Sequence, residues 1–113
     1  MSKIKRFAGQ YLLEIVDGKL KEYAGRFIYS LDGNYIRKYS GQIAYIIDGN
    51  RIKEFTGPYL LEVSGSKIKE YGGWILYEID GNRIKEFGGK ILYEIDGPIS
   101  HKELMMLIAY LFA

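Results

Sequence analysis

The chain has 113 residues, no cysteine, one histidine and a net charge of +2, from 16 basic and 14 acidic residues. This length suits one domain, and the missing cysteines exclude a disulfide scaffold, a thiolate nucleophile and a zinc ribbon. The balanced charge gives no reason to expect a nucleic-acid partner. No apolar signal segment follows Met1, and the longest apolar run, Leu104 to Ala113, is half the length of a membrane-spanning helix. We therefore expect a cytoplasmic protein that does not span a membrane.

A sixteen-residue repeat organises residues 1–97. One series of glycines has this spacing, and a second series of mostly Asp-Gly pairs falls between its members. The first series is Gly9, Gly25, Gly41, Gly57, Gly73 and Gly89, and the second is Gly18, Gly33, Gly49, Gly65, Gly81 and Gly97. Glycine supplies the positive φ of tight hairpin turns, and glycine every eight residues excludes helix. The six repeats therefore predict a mainly β protein, an antiparallel β-meander of about twelve short strands that begins with Lys3–Ala8 and ends with Lys90–Ile95.

Alternation within the strands predicts which side chains are buried. In a typical repeat we expect Ile75, Tyr77, Ile79 and Ile84 to face inward, and Tyr11 and its equivalents belong to the same column as Ile75. The outer face is expected to carry a basic column beside a carboxylate column. These columns are Lys5, Lys21, Arg37, Lys53, Lys69 and Lys85, and Glu14, Glu62, Glu78 and Glu94. We interpret them as an exposed ladder of cross-strand ion pairs.

A second apolar stripe leaves two alternatives. Leu12, Ile28, Leu60, Leu76 and Leu92 point away from the first apolar face. Strict alternation places the column of Phe87 beside them, as an outer band suited to self-association. A bulge between Lys85 and Glu86 would instead turn Phe87 inward and Glu86 outward. We favour the bulge, because strict alternation places Glu86 beside Ile84 on the apolar face.

Residues 98–113 are predicted to form a C-terminal helix. Ser100 is its expected N-cap, Glu103 completes a capping box, and Ile99 and Leu104 are placed for a hydrophobic staple. From Leu104 onward the helix is apolar on every side, so it must be surrounded by protein. Twelve strands leave a lumen wide enough for a helix, and we expect one domain over residues 1–113, a closed barrel around this helix. The alternative is an open, twisted single sheet with the helix packed across one face.

The Ile79-Asp-Gly-Asn82 turn, in an array of twelve strands followed by an apolar helix, resembles the tubby-like fold. Tubby domains, plant LURP-one-related proteins and phospholipid scramblases share that fold. The resemblance covers the whole chain and implies a twelve-stranded barrel around the helix, but this chain is much shorter and no lipid-binding motif carries over. The segment from Tyr77 to Arg83 also resembles the YD repeats of large bacterial toxin shells, which form far longer arrays.

The sequence offers no catalytic, cofactor or metal site. It contains no phosphate-binding loop, and its Asp-Gly-Asn turns lack the later carboxylates of a calcium loop. His101 lies in the first helical turn, where an exposed N-terminal residue is its simplest interpretation. We therefore do not expect an enzyme.

The second repeat departs from the charge pattern, with Ser30 replacing the outer glutamate. Residues 1–56 carry ten basic and six acidic groups, whereas residues 57–113 carry six and eight. A candidate anion-binding patch comprises Lys19, Lys21, Arg26, Arg37 and Lys38, although drift at exposed positions would leave the same residues. Two hypotheses follow. The chain is a structural or protein-interaction domain that self-associates or binds a protein partner, or it binds an anion or an anionic phospholipid headgroup through this patch.

Overall fold

The computed structural model describes all residues, Met1–Ala113, and contains twelve strands and one helix. In chain order these are β1 (Ser2–Arg6), β2 (Tyr11–Val16), β3 (Lys19–Glu22), β4 (Phe27–Asp32), β5 (Tyr35–Lys38), β6 (Ile43–Asp48), β7 (Arg51–Glu54), β8 (Tyr59–Ser64), β9 (Lys67–Glu70), β10 (Ile75–Asp80), β11 (Arg83–Glu86), β12 (Ile91–Asp96) and α1 (His101–Phe112). Sequence neighbours pair antiparallel, and β1 pairs with β12. The predicted meander and closed barrel are confirmed, and the open sheet is wrong.

The tight turns follow the glycine pattern. Asp80 pairs with Arg83 across a two-residue turn whose first residue, Gly81, has φ +62°. Glycine is the residue that a type II′ hairpin requires at this position. The first hairpin differs, because its turn residues Asp17 and Gly18 both have positive φ, as a type I′ turn requires. The extra residue before this Asp-Gly, relative to the other repeats, accounts for the difference.

An aliphatic collar lines the barrel and surrounds the helix. Its members are Ile4, Ile15, Leu20, Leu31, Ile36, Ile47, Ile52, Val63, Ile68, Ile79, Ile84 and Ile95. Met105–Ala109 are fully buried, and five consecutive residues cover more than one helical turn, so the collar contacts α1 on all sides. A helix of this length is about 18 Å long, which matches the 17 Å thickness of the molecule. Burying each large aliphatic side chain contributes about 1.5–3 kcal/mol, so this is the main stabilising region.

The start of α1 is bound to one end of the barrel. Glu103 N donates to Ser100 Oγ at 3.1 Å and Ser100 N donates to Glu103 Oε1 at 3.0 Å, which confirms the predicted capping box. Gly18 N donates to the other oxygen of Glu103, and His101 Nε2 lies 3.0 Å from the Gly49 carbonyl oxygen. These contacts join the helix to two tight turns, so the helix enters the lumen at the Asp-Gly end.

Each six-residue strand, which we call a long strand, contains a bulge at its second residue. The bulges change which columns of side chains face inward. Ile84 pairs with Tyr93 but Lys85 pairs with Ile91, so Leu92 has no partner on β11. The unpaired residues of the other long strands are Leu12, Ile28, Ala44, Leu60 and Leu76. Because the extra residue reverses the alternation, the column of Tyr11, Phe27, Ile43, Tyr59, Ile75 and Ile91 lies outside, paired with the basic column. Its predicted burial is wrong, and Leu12, Ile28, Leu60 and Leu76 pack against the core instead of pointing outward.

The favoured bulge between Lys85 and Glu86 is also wrong. The bulge lies in the facing strand, and Phe87 is 51% exposed. Glu86 pairs with Tyr77 on the lumen side, yet it is exposed because it lies at the rim of the barrel. A charged side chain at this rim reaches water, so strict alternation along β11 costs little.

Candidate functional site

The predicted ladder of ion pairs covers the outer face of most of the barrel. On β8, Glu62 lies 2.9 Å from Arg51 Nε and 3.9 Å from Lys69 Nζ, on the two flanking strands. The same arrangement recurs at Glu78, between Lys67 and Lys85, and at Glu94, between Arg83 and Lys5. The hydrogen bond from Lys67 holds the pKa of Glu78 below its ordinary value. Each glutamate therefore compensates two cations.

Strand β4 interrupts this ladder with Ser30. The residue pairs with Lys19 on one side and Arg37 on the other. Arg37 turns instead to Asp32, with 2.8 Å between Nε and Oδ2, and donates to the Gly41 carbonyl oxygen at 2.9 Å. Lys19 has no carboxylate oxygen within 4.0 Å and remains an uncompensated cation.

Strand β6 interrupts the ladder a second time with Ile46. This residue lies between Tyr35 on β5 and Lys53 on β7. Lys53 has no carboxylate oxygen within 4.0 Å, and its Nζ lies 5.3 Å from the centre of the Tyr59 ring. At this position the apolar Ile46 beside the free cation of Lys53 therefore replaces the ion pair of the other repeats.

Exposed aromatic rings extend this surface. Phe27 stacks on Tyr39 with ring centres 5.2 Å apart, and Tyr39 is 65% exposed. Lys19 Nζ and Lys21 Nζ lie 5.7 and 5.6 Å from the Phe27 ring centre, within the range of cation–π attraction. We call this region the β3–β7 outer face, and its members are Lys19, Lys21, Phe27, Ser30, Tyr35, Arg37, Tyr39, Ile43, Ile46 and Lys53.

The structure brings together three of the five residues of the predicted anion-binding patch. Lys19, Lys21 and Arg37 lie on neighbouring strands of the β3–β7 outer face, at register positions that flank Ser30 and Phe27. Lys21 and Arg37 already have carboxylate partners, Glu14 and Asp32, so Lys19 carries the free charge.

The other two residues of that patch lie elsewhere. Arg26 is exposed in the turn after β3 and lies 3.8 Å from a Glu22 oxygen. Lys38 pairs with Tyr29, whose ring contacts Tyr110 of the helix, so Lys38 lies on the lumen side of the sheet. Alternation between adjacent residues separates Lys38 from Arg37.

Sequence reasoning missed the aromatic part of this face. Ile46 could have been found, because it stands where four other repeats have glutamate. The outward position of Phe27 could not, since it depends on the bulge at Ile28. Tyr35 stands where most repeats have a basic residue, and that substitution alone does not indicate a surface.

Tyr59 borders this face and belongs to a second hydrogen-bonding pattern. Its hydroxyl donates to Asp48 at 2.5 Å, reaching from β8 across β7 to β6. Tyr11, three repeats away, donates to Asp96 at 2.6 Å in the same way. These hydrogen bonds to carboxylates raise the pKa of both tyrosines. Each hydrogen bond therefore holds a tyrosine ring across the intervening strand on the outer surface.

The β3–β7 outer face presents exposed aromatic rings beside uncompensated cations. The structure contains no cluster of three or more histidine, aspartate or glutamate side chains that could hold a metal ion. Its single helix is too short to cross a membrane. Comparison with protein-family models, curated proteins and solved structures found no match to this chain.

Proposed function

We propose that the chain is a non-catalytic protein-interaction module that self-associates through the β3–β7 outer face. The observation that carries this proposal is the loss of two carboxylates from the outer ladder, at Ser30 and Ile46. Lys19 and Lys53 are left uncompensated beside exposed aromatic and half-buried aliphatic side chains. Apolar surface flanked by cations favours a partner that covers the rings and supplies negative charge.

The distribution of charge supports a second copy of the chain as that partner. Residues 1–56 carry an excess of basic groups and residues 57–113 an excess of acidic groups. In a closed ring of six repeats these halves lie on opposite sides. The cationic side of one copy therefore complements the acidic side of the next in a head-to-tail contact, through carboxylates such as Glu70, Asp80 and Glu86 that have no basic partner within 4.0 Å. Such a contact weakens as salt increases.

Light scattering during size exclusion, at rising protein concentration and at two ionic strengths, tests this proposal. We expect a mass above that of the monomer at high concentration and low salt. Ile46→Glu restores the residue of four other repeats beside Lys53, and we expect it to remain monomeric. The control is Gln10→Glu, which adds the same charge in an exposed turn outside this face. A strict monomer at high concentration would overturn the proposal.

A second candidate function is binding of an anionic phospholipid headgroup, and Ser30 favours it. Ser30 lies between Lys19 and Arg37 in the register of the sheet, and it replaces a glutamate that would repel a phosphate at this position. Co-sedimentation with phosphatidylcholine vesicles, with and without phosphatidylserine, tests this function. We expect recovery only with the anionic vesicles and loss of binding in Arg37→Glu and Ser30→Glu.

The matched control for the vesicle assay is Lys38→Glu, which makes the same charge change as Arg37→Glu on the other side of the sheet. We expect it to bind like the wild type. Equal recovery with neutral vesicles, or no effect of Arg37→Glu, would exclude the headgroup function.

We also propose that the chain has a tubby-like fold. A closed barrel of twelve antiparallel strands followed by a C-terminal helix supports this proposal. The support comes from architecture, and none of the residues of the β3–β7 outer face is transferred from that family.

A further inference from the structure

A cavity of about 570 Å³ opens at the end of the barrel where α1 ends. Leu13 and Leu111 form apolar parts of its wall, and Tyr93 and Tyr110 contribute aromatic rings. Arg6 and Glu22 also line it. The volume lies in the range of about 300–1,000 Å³ that is typical of small-molecule sites. This cavity is separate from the β3–β7 outer face.

The cavity lies beside Leu13, one of two repeat positions that lack the tyrosine of the other four. Four repeats place a tyrosine at the position of Leu13, namely Tyr29, Tyr45, Tyr77 and Tyr93. Three of these rings pack on the helix: Tyr29 lies 6.0 Å from Tyr110, and Tyr77 and Tyr93 lie 3.9 and 6.4 Å from Phe112, between ring centres. The shorter Leu13 does not reach as far, so space remains between β2 and the last turn of α1. Leu61, the other exception in this column, is as buried as Leu13 but borders no cavity.

The charged residues of the cavity wall are not equivalent. Glu22 is held by Arg26, whose backbone N–H donates to its Oε1 at 3.3 Å and whose Nε lies 3.8 Å away. Arg6 has no carboxylate oxygen within 4.0 Å. The guanidinium of arginine binds carboxylate, sulfonate or phosphate oxygens in pairs. The cavity therefore combines an aromatic wall with one free cation.

We propose that this cavity binds a small amphipathic acid, with an aromatic body. The body packs between Leu13 and the rings of Tyr93 and Tyr110, since aromatic pairs favour stacked or edge contacts. The acid group pairs with Arg6 at the cavity wall. The site is independent of self-association, because none of these residues belongs to the β3–β7 outer face.

Fluorescence titration with 1-anilinonaphthalene-8-sulfonate tests the proposal on the full chain. We expect saturable binding of one probe molecule to the native protein. Leu13→Tyr introduces the residue of four other repeats into the cavity, and we expect at least about tenfold weaker binding because the new ring occupies the space of the probe. Leu61→Tyr makes the same change where there is no cavity, and we expect unchanged affinity. Circular dichroism verifies that each variant is folded.

Arg6→Ala tests the charge assignment separately and changes only an exposed side chain. We expect about twofold to fivefold weaker binding of the sulfonate probe, typical of a single exposed ion pair. Binding of the neutral probe N-phenyl-1-naphthylamine should not change. If Leu13→Tyr does not fold, this comparison decides the outcome.

Three results at the cavity itself would overturn this inference. They are no saturable binding to the wild type, unchanged binding to a folded Leu13→Tyr variant, and equal effects of Arg6→Ala on both probes. Ile46→Glu separates this proposal from the proposed function: it should abolish self-association and leave binding of the probe intact. Loss of probe binding in Ile46→Glu would place the probe on the β3–β7 outer face and overturn the cavity assignment.

Discussion

Single turn residues show why some repeats double their glycine. The left-handed position of the longer turns is held by Gly72 and Gly88 in two repeats, but by Ala8, Ala24 and Thr56 in three others, with φ of 59°, 54° and 80°. This conformation costs an L-residue about 1–2 kcal/mol. The second glycine, which looks redundant in the sequence, therefore removes local strain.

Thr56→Gly is expected to stabilise the protein. Removing the strain of a β-branched residue stabilises the folded state by more than the added entropy of glycine stabilises the unfolded chain. We therefore expect a gain of about 0.5–1 kcal/mol in unfolding free energy. Ser40→Gly is the control, because Ser40 occupies the corresponding turn without positive φ. We expect it to destabilise by up to about 1 kcal/mol. Urea unfolding measures both, and equal losses in the two variants would contradict the strain argument.

The ion pair of Glu78 predicts a pH dependence of stability. Lys67 lowers the pKa of Glu78 in the folded state. A carboxyl group with a lower pKa in the folded than in the unfolded chain stabilises the fold above its unfolded pKa, and this contribution disappears as the pH falls through the folded pKa. We expect Glu78→Gln and Lys67→Met to flatten the acid side of the stability profile. Urea unfolding across that range measures it, and profiles parallel to the wild type would refute the pair's contribution.

At the level of strands, the sequence predicts the short strands better than the long ones. Ile84 alternates with charged neighbours, so its burial follows from the pattern alone. In a long strand the apolar residues are consecutive, as at Ile75, Leu76 and Tyr77, and nothing in their chemistry indicates which one is unpaired. The bulge at Leu76 decides which of these side chains face outward. It forms through pairing with β9, which is a property of the assembled sheet.

The same limit applies to the candidate site. The loss of the carboxylate at Ser30 is visible in the sequence, because four other repeats have glutamate at this position, beside the basic column. The stacking of Tyr39 on Phe27 is not visible, since it needs Phe27 to lie outside. The placement of Lys38 at the lumen side of the rim likewise requires the register of β4 and β5.

The helix start gives a prediction at the level of one element. Ser100 Oγ satisfies the Glu103 N–H, which would otherwise lack a helical partner. We expect Ser100→Ala to cost about 1 kcal/mol in unfolding free energy. Ser66→Ala, in an exposed turn, is the control and should stay within about 0.5 kcal/mol of the wild type. Thermal unfolding compares the two, and equal effects would mean that the capping box contributes nothing to stability.

At the scale of the whole molecule, the closing pair of strands continues the outer ladder. Lys5 on β1 lies opposite Glu94 on β12, with 3.8 Å between Nζ and Oε1. The register at this junction matches the alternation of the other pairs, so the barrel has no exposed sheet edge. Closure therefore removes the unpaired backbone groups that would otherwise favour aggregation.

A disulfide across this junction tests closure, and the absence of native cysteine makes the experiment clean. Directly opposed residues have Cβ atoms about 4.5–5.5 Å apart, so Lys5→Cys with Glu94→Cys should form an intramolecular disulfide on mild oxidation. The cross-link closes nearly the whole chain into a loop, and we expect up to about 4 kcal/mol of stabilisation that reduction reverses. Gel mobility without reductant and thermal unfolding measure these effects.

Lys5→Cys with Glu78→Cys is the control, because β10 lies two strands from β12 and its cysteine should stay free within a monomer. An open sheet would leave both pairs unlinked, since β1 and β12 would then be the two outermost strands.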